Sequence, residues 1–350
     1  MKVPTAVEQM PVDDTGELAA MNQHPLADAA APRIAVLIPC HNEAAAIATV
    51  VTSFRRALPA ATVFVYDNNS SDDTASIAAQ AGAVVRAEPL QGKGNVVRRM
   101  FADIEAEVYV LVDGDGTYDA SAAEKMVRML LERTLDMVTG TRVPVTQLAY
   151  RPGHKLGNRL LTWAVAATFG DRIRDVLSGY RVMSRRFVKS FPALATGFET
   201  ETELTVHALE LRLPIAEIET AYRDRPAGSQ SKLRTFRDGV RILSTIVLLV
   251  KEERPLKFFS VTAALLAAAS LGLAWPLLSV YLETGLVPRL PTAVLATGLM
   301  VLAFMSIVAG LVLDTVTLGR RELKRLHYLG LRGPTERRRT KQRPGEGSPA

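Results

Sequence analysis

One cysteine, Cys40, stands in 350 residues. That excludes an internal disulfide and fits a reducing compartment, with Cys40 read as a small buried residue rather than a nucleophile. Residues 1–32 are rich in Ala, Pro and Asp and hold no apolar run. They exclude a secretory signal and read as a disordered extension. Two ion-binding loops are also missing. An EF-hand starting at Asp113 would need Asp or Asn at Thr117 and Gly at Tyr118, and Gln91-Gly-Lys-Gly-Asn95 lacks the spacing and the Ser/Thr of a Walker loop. Aromatic residues make up 6% of the chain. None is interleaved with basic residues in a recognition motif, which argues against nucleic acid as a partner.

Apolar residues, by contrast, are plentiful, at 48% with a mean hydropathy of +0.12. They concentrate late in the chain. Residues 258–281 carry no charge, and 293–313 form a second uncharged run. At about 1.5 Å per residue each is long enough to span a bilayer, and a kink is expected at Pro276. Lys and Arg crowd the outer ends of both runs, which places both ends in the cytoplasm. Residues 236–257, apolar with basic flanks, read as an interfacial amphipathic helix. The net charge of +6 is a property of the tail. Arg320 to Arg343 holds ten Lys/Arg and two acids, a local +8, so the rest sums to −2. Such a run suits an anionic lipid surface.

Ahead of these segments, strands alternate with helices, the pattern of a mostly parallel α/β sheet. Buried strands are expected at 33–39, 61–66, 83–86, 137–140 and 215–222. Helices are expected at 44–58, 75–81, 96–104, 122–132, 149–169 and from 197 to 211. The central strand begins at Val108 and delivers Asp113 and Asp115 at its carboxyl end, where open α/β sheets bind ligands. Alternation puts the two carboxylates on one face, with Gly114 leaving room for a ligand to approach. Two hard oxygen donors suit Mg²⁺ or Mn²⁺ carrying a diphosphate. Lys93, between two glycines at a helix start, offers a cation to an anion. Glu201 and Glu203 read either as acids favouring a helix N-terminus or as a candidate base.

Seven stretches then occur in order: Val36-Leu-Ile-Pro-Cys-His-Asn-Glu43, Val65-Tyr-Asp-Asn-Asn-Ser-Ser-Asp72, Gly92-Lys-Gly94, Asp113-Gly-Asp115, Gly140-Thr-Arg142, Asp175-x-x-Ser-Gly-Tyr-Arg181 and Gly228-Ser-Gln-Ser-Lys-Leu233. Together they resemble a GT-A-fold family 2 glycosyltransferase of the dolichol-phosphate mannose synthase and polyprenyl-phosphate glucosyltransferase type. The resemblance implies that Pro39, Glu43, Asp67 and Lys93 serve the nucleotide of the donor. It implies that Asp113 and Asp115 bind the metal and that Arg142 meets phosphate. His154, Lys155, Asn158 and Arg159 would receive the acceptor phosphate. Arg181, Arg225, Ser231 and Lys232 would close over donor or acceptor. Asn68-Asn69 replaces a common Asp-Gly, Thr117 stands where a Gln often ligates the metal, and Asn158 replaces a Ser. The Gln-x-x-Arg-Trp signature of processive synthases is absent, which favours transfer of one sugar.

The reading is an α/β GT-A domain over 33–235, the interfacial helix, a transmembrane hairpin within 258–319 and a basic cytoplasmic tail over 320–350. The expected activity is inverting transfer from UDP-glucose, GDP-mannose or a relative to a polyprenyl phosphate. It would take place at the cytoplasmic membrane face, with both termini cytoplasmic and the oligomeric state open. Two alternatives stand beside it: transfer to another membrane lipid such as a diacylglycerol, and a silent membrane subunit that anchors or regulates a partner.

Overall fold

The structure is a computed structural model that describes residues 32–145, 162–163, 165–166, 173–195, 197, 199–225, 244, 247–248 and 250–333. The expected 1–32 extension, most of the 149–169 helix and of the interfacial helix, and the tail beyond 333 lie outside the described residues.

Seven strands form one sheet in the order β3-β2-β1-β4-β6-β5-β7. They are β1 (Ile34–Cys40), β2 (Thr62–Asp67), β3 (Val84–Ala87), β4 (Val108–Leu111), β5 (Met137–Pro144), β6 (Arg181–Ser184) and β7 (Ile215–Tyr222). Period-two alternation builds two cores from the same strands. Val36, Ile38 and Cys40 of β1, with Val108 and Val110 of β4, face one core. Ala35 and Leu37, with Tyr109 and Leu111, face the other. Helices α1 (Ile47–Ala57), α2 (Thr74–Gln80) and α4 (Ala122–Glu132) supply apolar residues to the first core. Helices α3 (Lys93–Asp103), α5 (Arg185–Ser190) and α6 (Thr200–Glu210) supply the second. Most strand pairs are parallel, but β6 runs antiparallel to both neighbours, β4 and β5. Periodicity missed β6, which is four residues long.

Two long helices follow, α7 (Pro255–Thr284) and α8 (Leu290–Leu329). Helix α7 continues through Pro276 and ends at Gly285, whose φ of 67° permits the left-handed cap. The helices meet along small residues at sevenfold spacing, Ala296, Ala303, Gly310 and Thr317 on α8 against Ala263 and Ser270 on α7. A Cβ on Gly310 would lie 3.0 Å from Phe259 Cβ, so the crossing is close. The Ser270 hydroxyl donates to the Ala296 carbonyl at 2.7 Å. Away from this seam the helices are exposed: only 11% and 17% of their most apolar windows are buried. By length and composition both can cross a membrane.

Of the basic run, residues beyond 333 lie outside the described residues. Its first members turn back onto the protein rather than outward to lipid. Lys324 pairs with Glu210 at 2.7 Å and Arg321 with Glu253 at 3.0 Å, because α8 extends well past its apolar stretch and docks on the sheet domain.

Candidate functional site

The carboxyl ends of β1, β2 and β3 are tied together before any ligand is considered. The Asn68 amide N–H donates to the Cys40 carbonyl at 2.8 Å, and the Glu88 N–H to that of Asp67 at 2.9 Å. The Asn68 side chain, 3% exposed, donates to the carbonyls of Glu88 and Leu90 and accepts from the Gly92 N–H. It thereby pins the loop that opens α3. Asp67 accepts from the Ser70 N–H with Oδ2, while its Oδ1 is buried with no hydrogen-bond partner among the described residues. That oxygen is open to a donor from water or a ligand. Glu43 is buried, and its carbonyl accepts the first amides of the α1 entry. Pro39 sits one residue before the end of β1.

Strand alternation is not what presents the two aspartates. Strand β4 stops at Leu111, and the chain turns through 114–116, with Gly116 at φ 76°. Gly114 is required on the side facing β1. A Cβ there would lie 2.5 Å from Cys40 Sγ and 3.3 Å from Ile38 Cγ2. Asp115 is 5% exposed; Thr117 Oγ1 donates to its Oδ1 at 2.7 Å, and Arg225 pairs with its Oδ2 at 2.8 Å. Thr117 therefore orients a carboxylate, the work that its sequence position left open.

Asp113 sits in a cradle made by Gly179. A Cβ on Gly179 would come within 2.4 Å of Asp113 Oδ2. The Gly179 N–H donates to Tyr118 Oη at 2.8 Å, and burial pushes the Tyr118 phenol up, so it stays neutral. Lys93 closes the other side with ion pairs to both Asp113 and Glu201. Burial alone would pull the Lys93 ammonium down, but the two carboxylates outweigh it and hold its pKa above the ordinary lysine value. The expected anion at this helix start is thus supplied by the protein itself. Glu201 keeps Oε2 buried and without a hydrogen-bond partner among the described residues.

Arg142 and Asp175 form a bidentate pair, 2.7 Å at each contact, with the guanidinium 5.6 Å from the centre of the Tyr222 ring. Arg181 corrects an expectation. It is fully buried, and its guanidinium donates to the carbonyls of Ser178, Val176 and Glu201 and to Thr205 Oγ1. It holds the Ser-Gly-Tyr turn to α6, with its guanidinium committed inside the core. His154, Lys155, Asn158, Arg159, Ser231 and Lys232 lie outside the described residues. Sequence reasoning missed Asn68, Tyr118 and Gly179 as site-builders; the Ser-Gly-Tyr motif was the available signal for Gly179.

Among the described residues no three His, Cys, Asp or Glu side chains gather as a metal cluster. A divalent cation here would take Asp113 and Asp115 and complete its shell from a diphosphate and water, a habit of Mg²⁺ and of similar hard cations. The donor set fits that use.

Residues 35–191 match the family described as Glycosyl transferase family 2. The glycosyltransferase AglJ of Haloferax volcanii is 36% identical over 247 residues, 69% of this chain and 80% of that protein. A dolichyl-phosphate hexose transferase of the same organism is 27% identical over 222 residues, 63% of this chain and 95% of that protein. Among solved structures, glucosyl-3-phosphoglycerate synthase from Mycobacterium tuberculosis, in complex with Mn²⁺, UDP and glucosyl-3-phosphoglycerate, superposes with a TM-score of 0.52. The match covers 63% of this chain and 80% of that one at 23% identity, a likeness of fold.

Proposed function

The chain belongs to glycosyl transferase family 2, and from that membership we propose that it moves one hexose from a nucleotide sugar to a polyprenyl phosphate at a membrane surface. The observation that carries this reading is the union, in one compact unit, of the Asp113/Asp115 turn with a hairpin whose apolar surface is left exposed. Exposed apolar surface on that scale needs lipid around it. The dolichyl-phosphate hexose transferase relative adds support for a lipid phosphate acceptor.

In this reading the bond from the anomeric carbon to the donor diphosphate breaks, and the diphosphate leaves with the electron pair. An oxygen of the acceptor phosphate forms the new bond from the opposite face, which inverts the centre. Asp113 and Asp115 would hold a divalent cation, which would neutralise charge on the departing diphosphate. Asp67 offers Oδ1 to the nucleoside, and Lys93 holds the Asp113 carboxylate in place through their ion pair. Arg142, held by Asp175, brings a fixed positive charge beside the turn, where it stabilises phosphate charge without reorganising.

The test incubates membranes containing the protein with labelled UDP- and GDP-sugars, with and without added polyprenyl phosphate. Label should enter a lipid only when the polyprenyl phosphate is present, and Asp115→Asn should abolish it by about 10²-fold or more. Label in a diacylglycerol would replace the acceptor, and no lipid label with any donor would favour the silent-subunit alternative.

A further inference from the structure

Two elements carry site residues at one end and are gripped at the other by the end of α8, and a third, β6, joins the same grip through Asp136. Helix α6 bears Glu201 in the site and Glu210 nine residues on, about 14 Å away at helical rise. Glu210 has no solvent-exposed side-chain surface and meets Lys324 at 2.7 Å and Arg321 at 3.5 Å, both from α8. Strand β5 carries Arg142 near its far end and begins just after Asp136, which is fully buried. Tyr328 of α8 donates its hydroxyl to Asp136 Oδ2 at 2.6 Å, and its ring packs in the core beneath α3, α5 and α6. Strand β6 starts at Arg181 behind the site and ends at Ser184, whose hydroxyl donates to Asp136 Oδ1 at 2.7 Å. Arg186 completes the joint, bidentate on Asp136 with its guanidinium 4.8 Å from the centre of the Tyr328 ring.

A flexible tether to a membrane helix needs none of this. A ring buried in another domain's core, hydrogen-bonded to a carboxylate that also anchors two strands, is a rigid joint. The helix it belongs to leaves the apolar stretch near Leu313 and runs unbroken to Leu329, about 24 Å further at helical rise. We propose that the end of α8 is a mount that fixes the height and orientation of the sugar-transfer site above the bilayer. Glu210, Asp136 and Tyr328 are its positioning residues. The proposal rests on the lipid-acceptor reading above. A polyprenyl phosphate presents its headgroup at a set depth, so a site held at matching height meets it without a search over orientations.

The experiment compares two acceptors with the full-length protein in phosphatidylglycerol-containing vesicles. One is a long-chain polyprenyl phosphate within the bilayer; the other is a short-chain, water-soluble prenyl phosphate. Tyr328→Ala and Lys324→Glu should lower kcat/KM for the bilayer acceptor by about tenfold or more and change the soluble one by less than about twofold. Parallel losses on both acceptors would make the joint merely structural, and no loss on either would remove its role. Either result overturns the proposal. If wild type uses neither acceptor, the lipid-acceptor reading fails, and the mount is judged by hydrogen exchange. The α6 amides should then exchange faster in Tyr328→Ala than in wild type, and unchanged protection would overturn it.

Discussion

Lys93 and Glu201 stand 108 residues apart in the chain and share an ion pair whose ammonium also holds Asp113. The pair joins the first turn of α3 to the first turn of α6 across the end of β4. It ties the Asp113/Asp115 turn to a helix from the other half of the domain.

Removing Lys93 should therefore cost more than a surface cation would. Its side chain is 11% exposed, and Lys93→Met leaves the buried Glu201 carboxylate and the partly exposed Asp113 carboxylate without the cation they share. Loss of one partner of a buried pair costs about 3–5 kcal/mol. A fall in thermal midpoint together with loss of transfer is expected, and a midpoint within experimental error of wild type would refute the account.

Glu201→Gln keeps a side chain on Lys93 and should lower the rate only modestly. A lipid monophosphate has a second pKa of about 6 and is already a nucleophile at neutral pH. The acid limb of kcat/KM against pH should lie near pH 6, or lower if cations crowd the phosphate, and should persist in Glu201→Gln. A limb that vanishes in this variant would make Glu201 the base.

The glycines give a contrast within one chain. Gly179→Ala places a Cβ against the Asp113 carboxylate and should reduce kcat by about 10²-fold through misplacement of that group. Gly114→Ala should be damaging alone and partly rescued by Cys40→Ala, which removes the sulfur 2.5 Å from the new Cβ. Gly272→Ala, which meets nothing within 4 Å, should be silent. Equal activity in all three single variants would show that the cradle has no function.

The Arg142–Asp175 pair should report itself through pH. Burial would raise the Asp175 carboxyl, but the Arg142 hydrogen bonds hold it below the ordinary carboxylate range. A depressed folded pKa adds stability above the unfolded value of about 3.9 and loses it as pH falls through the folded one. The thermal-midpoint gap between wild type and Arg142→Met, measured in detergent, should be full at neutral pH and narrow below about pH 4. A gap independent of pH would mean that the pair contributes packing alone.

Topology can be checked directly. Tyr328 is seated in the core of the sheet domain, so the far end of α8 must lie on the same side of a membrane as the site. A reporter fused after Leu331 should behave as cytoplasmic, and a cysteine replacing Thr284 should react with an impermeant reagent from outside. Labelling of that cysteine only after permeabilisation would reject the hairpin.

The alternation of strands and helices ahead of β6, the pairing of Asp113 with Asp115 beyond the central strand and the two apolar helices were legible in the amino-acid sequence; β6 and the turn that presents the aspartates were not. What was legible is written in local periodicity or in short spacing, which the chain cannot hide. Tertiary structure alone decided which charges meet. Lys93 reads as a cation for a ligand until α6 brings Glu201 to it. Arg181 reads as a substrate clamp until burial commits its guanidinium to three carbonyls and a hydroxyl. Arg321 and Lys324, at the start of the basic run, read as lipid-facing until Glu253 and Glu210 claim them. A buried ion must find its counter-charge wherever the fold supplies one, and that partner is commonly a hundred residues away, beyond the reach of any local pattern.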